Sequence, residues 1–202
     1  YDVVQGSPEW WAIKRGVPSA SNFNRIVTPK ACLLSKSADN YICELIAELR
    51  CPPRTNGVYV SKAMQHGIDT EPEARAWIEL ELGMDIKRVG WVTTDDGLFG
   101  CSPDGLFVDH LGQYTSGLEL KCPEPKTHVR YLLKGFLPDK YRPQVHGGMF
   151  VCGLPSWLFL SYCRDFHTKL LISVPHDEYT FRLKTALDLF NEKYTEVKRR
   201  IM

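Results

Sequence analysis

No stretch of the 202-residue chain approaches the ~18 consecutive apolar residues that a membrane span needs, so no spanning helix is expected within it. Residues 1–6 lack the basic start and apolar stretch of a secretory signal. Position 1 is not Met, which suggests a trimmed or processed chain. Seven cysteines are present, but no two are spaced as C-x-x-C and no Cys/His pattern has zinc-finger spacing. The expectation is therefore reduced core cysteines in a cytoplasmic protein. A net excess of charge is missing as well: 25 Lys and Arg against 24 Asp and Glu leave +1. There is no internal repeat, low-complexity tract or linker, so a single domain over 1–202 is expected.

What is present is an ordinary globular balance, 44% hydrophobic and 24% charged. A chain of this length can bury about 70% of its unfolded surface, enough for a sizeable core. The near-zero net charge hides a segregation. Residues 1–62 carry +3, residues 63–119 carry −8 and residues 120–202 carry +6. An acidic middle between basic ends suits a metal-binding centre flanked by phosphate-binding surface, and equally suits chance grouping of solvated faces.

Local patterns divide the chain into elements. Ser7-Pro8-Glu9 is a helix start, with a capping hydroxyl, Pro at the first position and an acid in the first turn; that helix stops near Gly16. A short helix is expected from Ser19 or Ser21 to Val27, a loop over 28–38, and a helix over Asp39–Leu49 that Cys51-Pro52-Pro53-Arg54-Thr55-Asn56-Gly57 breaks. A long helix over Ser61–Leu82 would turn Met64, Ile68, Ala74, Trp77, Ile78 and Leu82 inward, with Gly83 as its stop. Strands are expected at Ile86–Thr94, Leu106–Asp109, 117–122, Trp157–Tyr162 and Thr168–Val174, and Gln113–Ser116 as a lengthened hairpin. Helices are expected at about 124–134 and 139–152 and at Asp177–Ile201. This order points to an α/β domain with a central mixed sheet flanked by helices.

One combination carries chemistry. Asp104 sits in a Ser-Pro-Asp-Gly turn at the start of a strand, and the next strand contains Glu119-Leu120-Lys121. Strand alternation puts Glu119 and Lys121 on one face and turns Leu120 to the core. Glu71, on the preceding helix, could supply a third carboxylate. Magnesium takes one or two carboxylates with waters and phosphate oxygens, and two such ions can stabilise the attacking and leaving oxygens of a phosphodiester. A lysine beside them can orient a water and offset transition-state charge. Alone, D…E-x-K is more often a set of surface ion pairs than a catalytic motif.

Further motifs stand in the same order. They are Trp10-Trp11-Ala12-Ile13-Lys14-Arg15-Gly16-Val17-Pro18-Ser19-Ala20-Ser21, then His66-Gly67 with Glu71-Pro72 and Ala74-Arg75, then Cys101–Gly105, Gly117–Pro123 and Gln144-Val145-His146. Over residues 9–165 the chain resembles the phage lambda exonuclease (YqaJ-type viral recombinase) family, within the PD-(D/E)xK nuclease superfamily. The resemblance implies a restriction-endonuclease-like core and a Mg²⁺-dependent, processive 5′-to-3′ exonuclease of linear double-stranded DNA. It implies 5′ mononucleotides and a 3′ single-stranded tail as products, a single-strand annealing protein as partner in recombination, and a ring-shaped homotrimer in a phage-infected bacterial cell. Asp104, Glu119 and Glu71, with the Leu120 carbonyl, would serve two Mg²⁺ ions, Mn²⁺ being an alternative. Lys121 would be the catalytic lysine and Gln144 would lie at the site's edge. Ser19, Ser21 and either Lys14 or Arg15 would bind the 5′-phosphate; the family has Arg where this chain has Lys14. Three alternatives stay open: a related nuclease with an iron–sulfur cluster, which the scattered cysteines oppose, a PD-(D/E)xK endonuclease, and a catalytically inactive DNA-binding module. Trp10, Trp11 and Trp77 read as core, and Lys198-Arg199-Arg200 as a solvated helix end.

Overall fold

The structure is a computed structural model and describes residues 1–51 and 61–202. The expected break over 52–57 and the inward turn of the Met64 side chain lie outside the described residues. Among the described residues the helices are α1 (Pro8–Lys14), α2 (Phe23–Ile26), α3 (Ala38–Arg50), α4 (Lys62–Leu82), α5 (Pro125–Lys134), α6 (Arg142–Cys152) and α7 (Glu178–Ile201). A 3₁₀ turn at Ala20–Asn22 precedes α2, and another at Asp139–Tyr141 precedes α6. The strands are β1 (Ile86–Lys87), β2 (Val92–Thr93), β3 (Gly100–Cys101), β4 (Gly105–Val108), β5 (Tyr114–Lys121), β6 (Ser156–Ser161) and β7 (Leu170–Pro175). No helix among them is long and apolar enough to cross a membrane.

Five strands form a mixed sheet in the order β1-β4-β5-β6-β7, as the α/β reading anticipates. Only β5 and β6 run parallel, which requires the long crossover through α5 and α6. The sheet is covered on both faces. Ala74 and Ile78 of α4 pack on Phe107, Leu118, Leu120 and Leu160. On the other face, Val145 and Met149 of α6 pack on Leu106, Trp157, Phe159 and Val174. A third cluster joins α2, α3 and α7 through Phe23, Ile42, Leu45, Leu183 and Leu187. Each such side chain contributes on the order of 1.5–3 kcal/mol when buried. Period-2 alternation therefore puts Gly117, Glu119 and Lys121 on the α6 side, while Leu118 and Leu120 point to α4.

Helix ends follow local chemistry. Ser7 Oγ accepts from the Trp10 N–H at 3.2 Å and Pro8 opens α1. Asp177 caps α7 in a reciprocal box with Thr180. His146, from the Gln-Val-His motif, is buried and its Nδ1 lies 2.8 Å from Thr180 Oγ1, so it braces α6 against the start of α7. Burial pushes its imidazole down to about 4, and it packs as a neutral ring.

Three expectations are corrected. Residues 86–94 do not form one strand: Ile86–Lys87 pair with β4, whereas Val92–Thr93 pair with β3 in a separate two-stranded sheet. The cause lies between them. Residues 1–3 lie against Gly90-Trp91, where the Tyr1 ammonium donates to the Trp91 carbonyl at 2.7 Å, and a Cβ at Gly90 would come 1.8 Å from the Val3 carbonyl oxygen. Ile68 is 56% exposed rather than inward, because the buried stripe of α4 is Thr70, Ala74 and Ile78 and Ile68 lies about 200° round the helix from Thr70. Trp11 is 46% exposed, not core. Trp77 and Leu82 pack at the core's edge as anticipated.

Trp157 on β6 is held between two glycines. A Cβ at Gly117 would lie 2.3 Å from its ring, and one at Gly148 would lie 2.7 Å away. The ring is 2% exposed and can yield little. Gly117→Ala should therefore destabilise the protein by about 1–3 kcal/mol, the usual cost of overpacking. The measurement is a urea titration followed by tryptophan fluorescence; an unchanged midpoint would contradict this packing.

Candidate active site

Asp104 immediately precedes β4, and its backbone N–H donates to the Leu118 carbonyl at 3.1 Å. Its side chain turns toward β5, where Oδ2 accepts from the Leu120 N–H at 2.6 Å. That bond seats the carboxylate beside Glu119. Lys121, two residues on, makes an ion pair with Glu119 Oε1. Two strand ends thus bring Asp104, Glu119 and Lys121 together, as alternation and the turn anticipate.

The helix α4 braces this arrangement. Arg75 donates to the Asp104 carbonyl and forms a 2.9 Å pair with Glu71. Glu71 is half-exposed and tied to Arg75, yet its charge reaches both Asp104 and Glu119. It stands beside the buried pair rather than within it. Sequence reading missed the part of Arg75. Its signal was the i, i+4 spacing from Glu71, which places the two on one helix face.

Electrostatics here are dominated by burial. Burial, the charge of Glu119 and that of Glu71 raise the Asp104 carboxyl to about 8, against the pull of Lys121. Burial likewise raises Glu119. Burial works against the Lys121 ammonium, but Glu119 and Asp104 together outweigh it and hold the lysine charged. Cys122, beside this charge, is pushed up to about 12 chiefly by burial, and stays an inert thiol.

A cavity of about 200 Å³ opens beside the pair. Asp104, Glu119 and Gln144 line it, as do Lys14, Ser21, Trp10 and Trp91. The i, i+4 spacing in α1 sets Lys14 over Trp10, with Nζ 3.6 Å from the ring centroid and 5.2 Å from that of Trp91. Among the described residues no carboxylate pairs with this ammonium. Burial lowers its pKa to about 8. Arg15 is directed elsewhere, donating to the Glu48 carbonyl at 2.9 Å and to the Cys51 carbonyl at 2.9 Å, where it closes the end of α3. Of the two basic residues, the structure brings Lys14 to the cavity and not Arg15. Ser19 is buried behind Ser21, their hydroxyl oxygens 3.2 Å apart. Trp10 is buried, as read, and also walls the cavity; its Nε1–H donates to Gly90 O and Ser102 Oγ, both at 2.9 Å.

The donor set suits a hard divalent cation. Among the described residues no three His, Cys, Asp or Glu side chains are gathered as a closed metal cage. Magnesium does not need one, since one or two carboxylates with water and phosphate oxygens suffice. Glu119 Oε1 is buried with the Lys121 ammonium as its one partner among the described residues, and the charge of Glu119 in turn repels the buried Asp104 carboxylate. A cation between them would relieve both. The cysteines are scattered: Cys101 and Cys152 are 3.5 Å apart, and among the described residues no third cysteine joins them.

Residues 9–155 match the family model of the YqaJ-like viral recombinase domain. The chain is similar to an alkaline exonuclease (LHK-Exo) from Laribacter hongkongensis, with 28% identity over 96% of this chain and 97% of that one and a TM-score of 0.75. Against LHK-Exo in complex with dAMP the TM-score is 0.82, again at 28% identity over 96% of each chain. A phage-related exonuclease from Haemophilus somnus 129PT shares the fold, with a TM-score of 0.65 at 14% identity over 92% of this chain and 96% of that one. No curated protein matches the chain.

The buried carboxylates generate a stability signature. Asp104 holds its proton up to about pH 8 in the fold, whereas an unfolded carboxyl releases it near ~4. Between those values stability falls as pH rises. In chelator at pH 8, Asp104→Asn should therefore melt several degrees above the wild type, and the gap should narrow at pH 5. Mg²⁺ should raise the melting point of the wild type and not of the variant. Scanning calorimetry at the two pH values checks this; equal melting points throughout would remove the repulsion from the site.

Proposed function

The chain belongs to the YqaJ-like viral recombinase domain family, and from that premise we propose that it is a divalent-metal-dependent exonuclease of linear duplex DNA. In this reading it starts at an end and releases 5′ mononucleotides from the 5′-terminated strand. One observation carries the reading: a single cavity is lined both by the buried Asp104–Glu119 pair and by Lys14, whose ammonium forms no ion pair with a carboxylate among the described residues. Acids that call for a cation and a cation that calls for an anion suit a phosphodiester at one point and a terminal phosphate at another. The similar LHK-Exo, an alkaline exonuclease also known in complex with dAMP, supports a nucleotide in such a cavity.

Asp104 and Glu119 would hold Mg²⁺, or Mn²⁺, with the Leu120 carbonyl assisting and Glu71 adding charge from outside. When bound, the metal supplies Lewis-acid polarisation of the phosphodiester. Lys121, kept charged by its two acidic neighbours, orients the attacking water and offsets the negative charge that develops. Lys14 and the Ser21 hydroxyl receive the 5′-phosphate, and Trp10 and Trp91 keep that end of the cavity dry. Lysine binds phosphate as a point charge without the fork of arginine, so the terminal phosphate is held less directionally here. Gln144 contacts the strand at the cavity's edge. In the same reading three copies form a ring around the product strand, and an annealing protein takes up the 3′ tail.

Lys121→Ala should lower nucleotide release from linear duplex with Mg²⁺ by about 10²–10³-fold. Release near the wild-type rate would refute the assignment. Covalently closed plasmid should stay intact, whereas an endonuclease would cut it. Lys14→Ala should raise the KM for 5′-phosphorylated ends about 10–100-fold and leave 5′-hydroxyl ends unchanged, since a charge-assisted phosphate contact is lost. An equal effect on both ends would deny Lys14 that role.

A further inference from the structure

The ion pair between Glu119 and Lys121 has to loosen when a divalent cation competes for the same carboxylate, and something else must then keep the lysine in place. Among the described residues one aromatic ring lies within reach. Lys121 Nζ lies 5.4 Å from the ring centroid of Tyr141, within the ~6 Å range of a cation–π contact. Tyr141 is well anchored. Its ring lies 5.4 Å from Phe159 on β6 and 6.3 Å from Tyr131 on α5. It is the N-cap residue of α6, one turn before Gln144, so the ring and the cavity-lining amide are carried by the same helix start. A second cation, the exposed Lys140, lies 4.5 Å from the same ring and is engaged with the Tyr141 and Tyr131 hydroxyls.

We propose that Tyr141 is the positioning residue for Lys121: its aromatic face holds the ammonium beside the reacting phosphate once Glu119 is committed to the metal. The inference rests on the nuclease reading of the site. It assigns Tyr141 no contact with substrate. The ring is the working part and the hydroxyl is dispensable, because the attraction comes from the π quadrupole. A metal-bound Glu119 can no longer neutralise Lys121, so a neutral partner that does not compete for the cation is what the lysine needs.

The test uses the full chain with Mg²⁺ and linear 5′-phosphorylated duplex. Tyr141→Phe should keep kcat within about twofold of the wild type. Tyr141→Leu should lower kcat about tenfold while the KM for ends stays within about twofold, as expected for a misplaced catalytic group with an intact binding site. Because the leucine variant could also loosen the α6 start, a second series keeps the shape: phenylalanine at position 141 with progressively more ring fluorines. There kcat should fall stepwise while the melting temperature and KM stay constant. A flat fluorine series, or a phenylalanine variant as slow as the leucine one, overturns the proposal. Wild-type turnover by Lys121→Ala would instead overturn the reading of the site itself, so the two failures are distinguishable.

Discussion

Two carboxylates buried side by side, with a lysine on one of them, form the constraint around which this structure is arranged. Asp104 and Glu119 lie where burial and mutual repulsion both oppose ionisation, so Asp104 keeps its proton to about pH 8 in the absence of a cation. The surrounding fold holds them there with rigid parts. A 2.6 Å hydrogen bond from the Leu120 N–H fixes the Asp104 side chain, and Arg75 holds the Asp104 backbone from α4. A stability loss confined to a preorganised site is the ordinary relation between function and folding. The remaining clusters, with α4 on one face of the sheet and α6 on the other, supply the stabilisation that offsets it.

The sheet positions the site through parity. Alternation along β5 assigns Leu118 and Leu120 to the α4 side, so Glu119 and Lys121 must face α6, the helix that carries Gln144. The parallel pairing of β5 with β6 brings Lys121 opposite Ser161 and requires the α5–α6 crossover. That crossover delivers Tyr141 to the lysine. Topology and chemistry are coupled here: the connection that a parallel pair demands is the same segment that completes the site.

At the other end of the cavity, two adjacent basic residues take unlike tasks. Lys14, four residues after Trp10, is drawn over the indole and into the cavity wall. Arg15, one position later, is turned about 100° around the helix axis and meets the last carbonyls of α3. The fork of an arginine suits carbonyl oxygens at a helix end, and the compact ammonium suits an aromatic wall. A lysine rather than an arginine therefore puts a cation at the cavity that grips an anion as a point charge.

Much of the fold was legible in the sequence where a local rule acts alone. Caps and periodicity located α1, α3 and α7, and alternation located β5 from Gly117 onward, whereas Tyr114–Ser116, read as a lengthened hairpin, extend that strand because they pair with Phe107 and Val108 of β4. The Asp104–Glu119–Lys121 convergence was legible too, because a turn and a strand with two unlike faces leave little freedom in where those side chains point. Residues 86–94 were misread because their break is imposed by residues 1–3 lying on Gly90, a contact across some ninety positions that no local pattern encodes. For the same reason Arg75, the choice between Lys14 and Arg15, the wall role of Trp10 and the approach of Tyr141 to Lys121 belong to the tertiary structure alone. Side-chain periodicity determined which face each residue presents; which element meets that face was decided only by packing distant segments together.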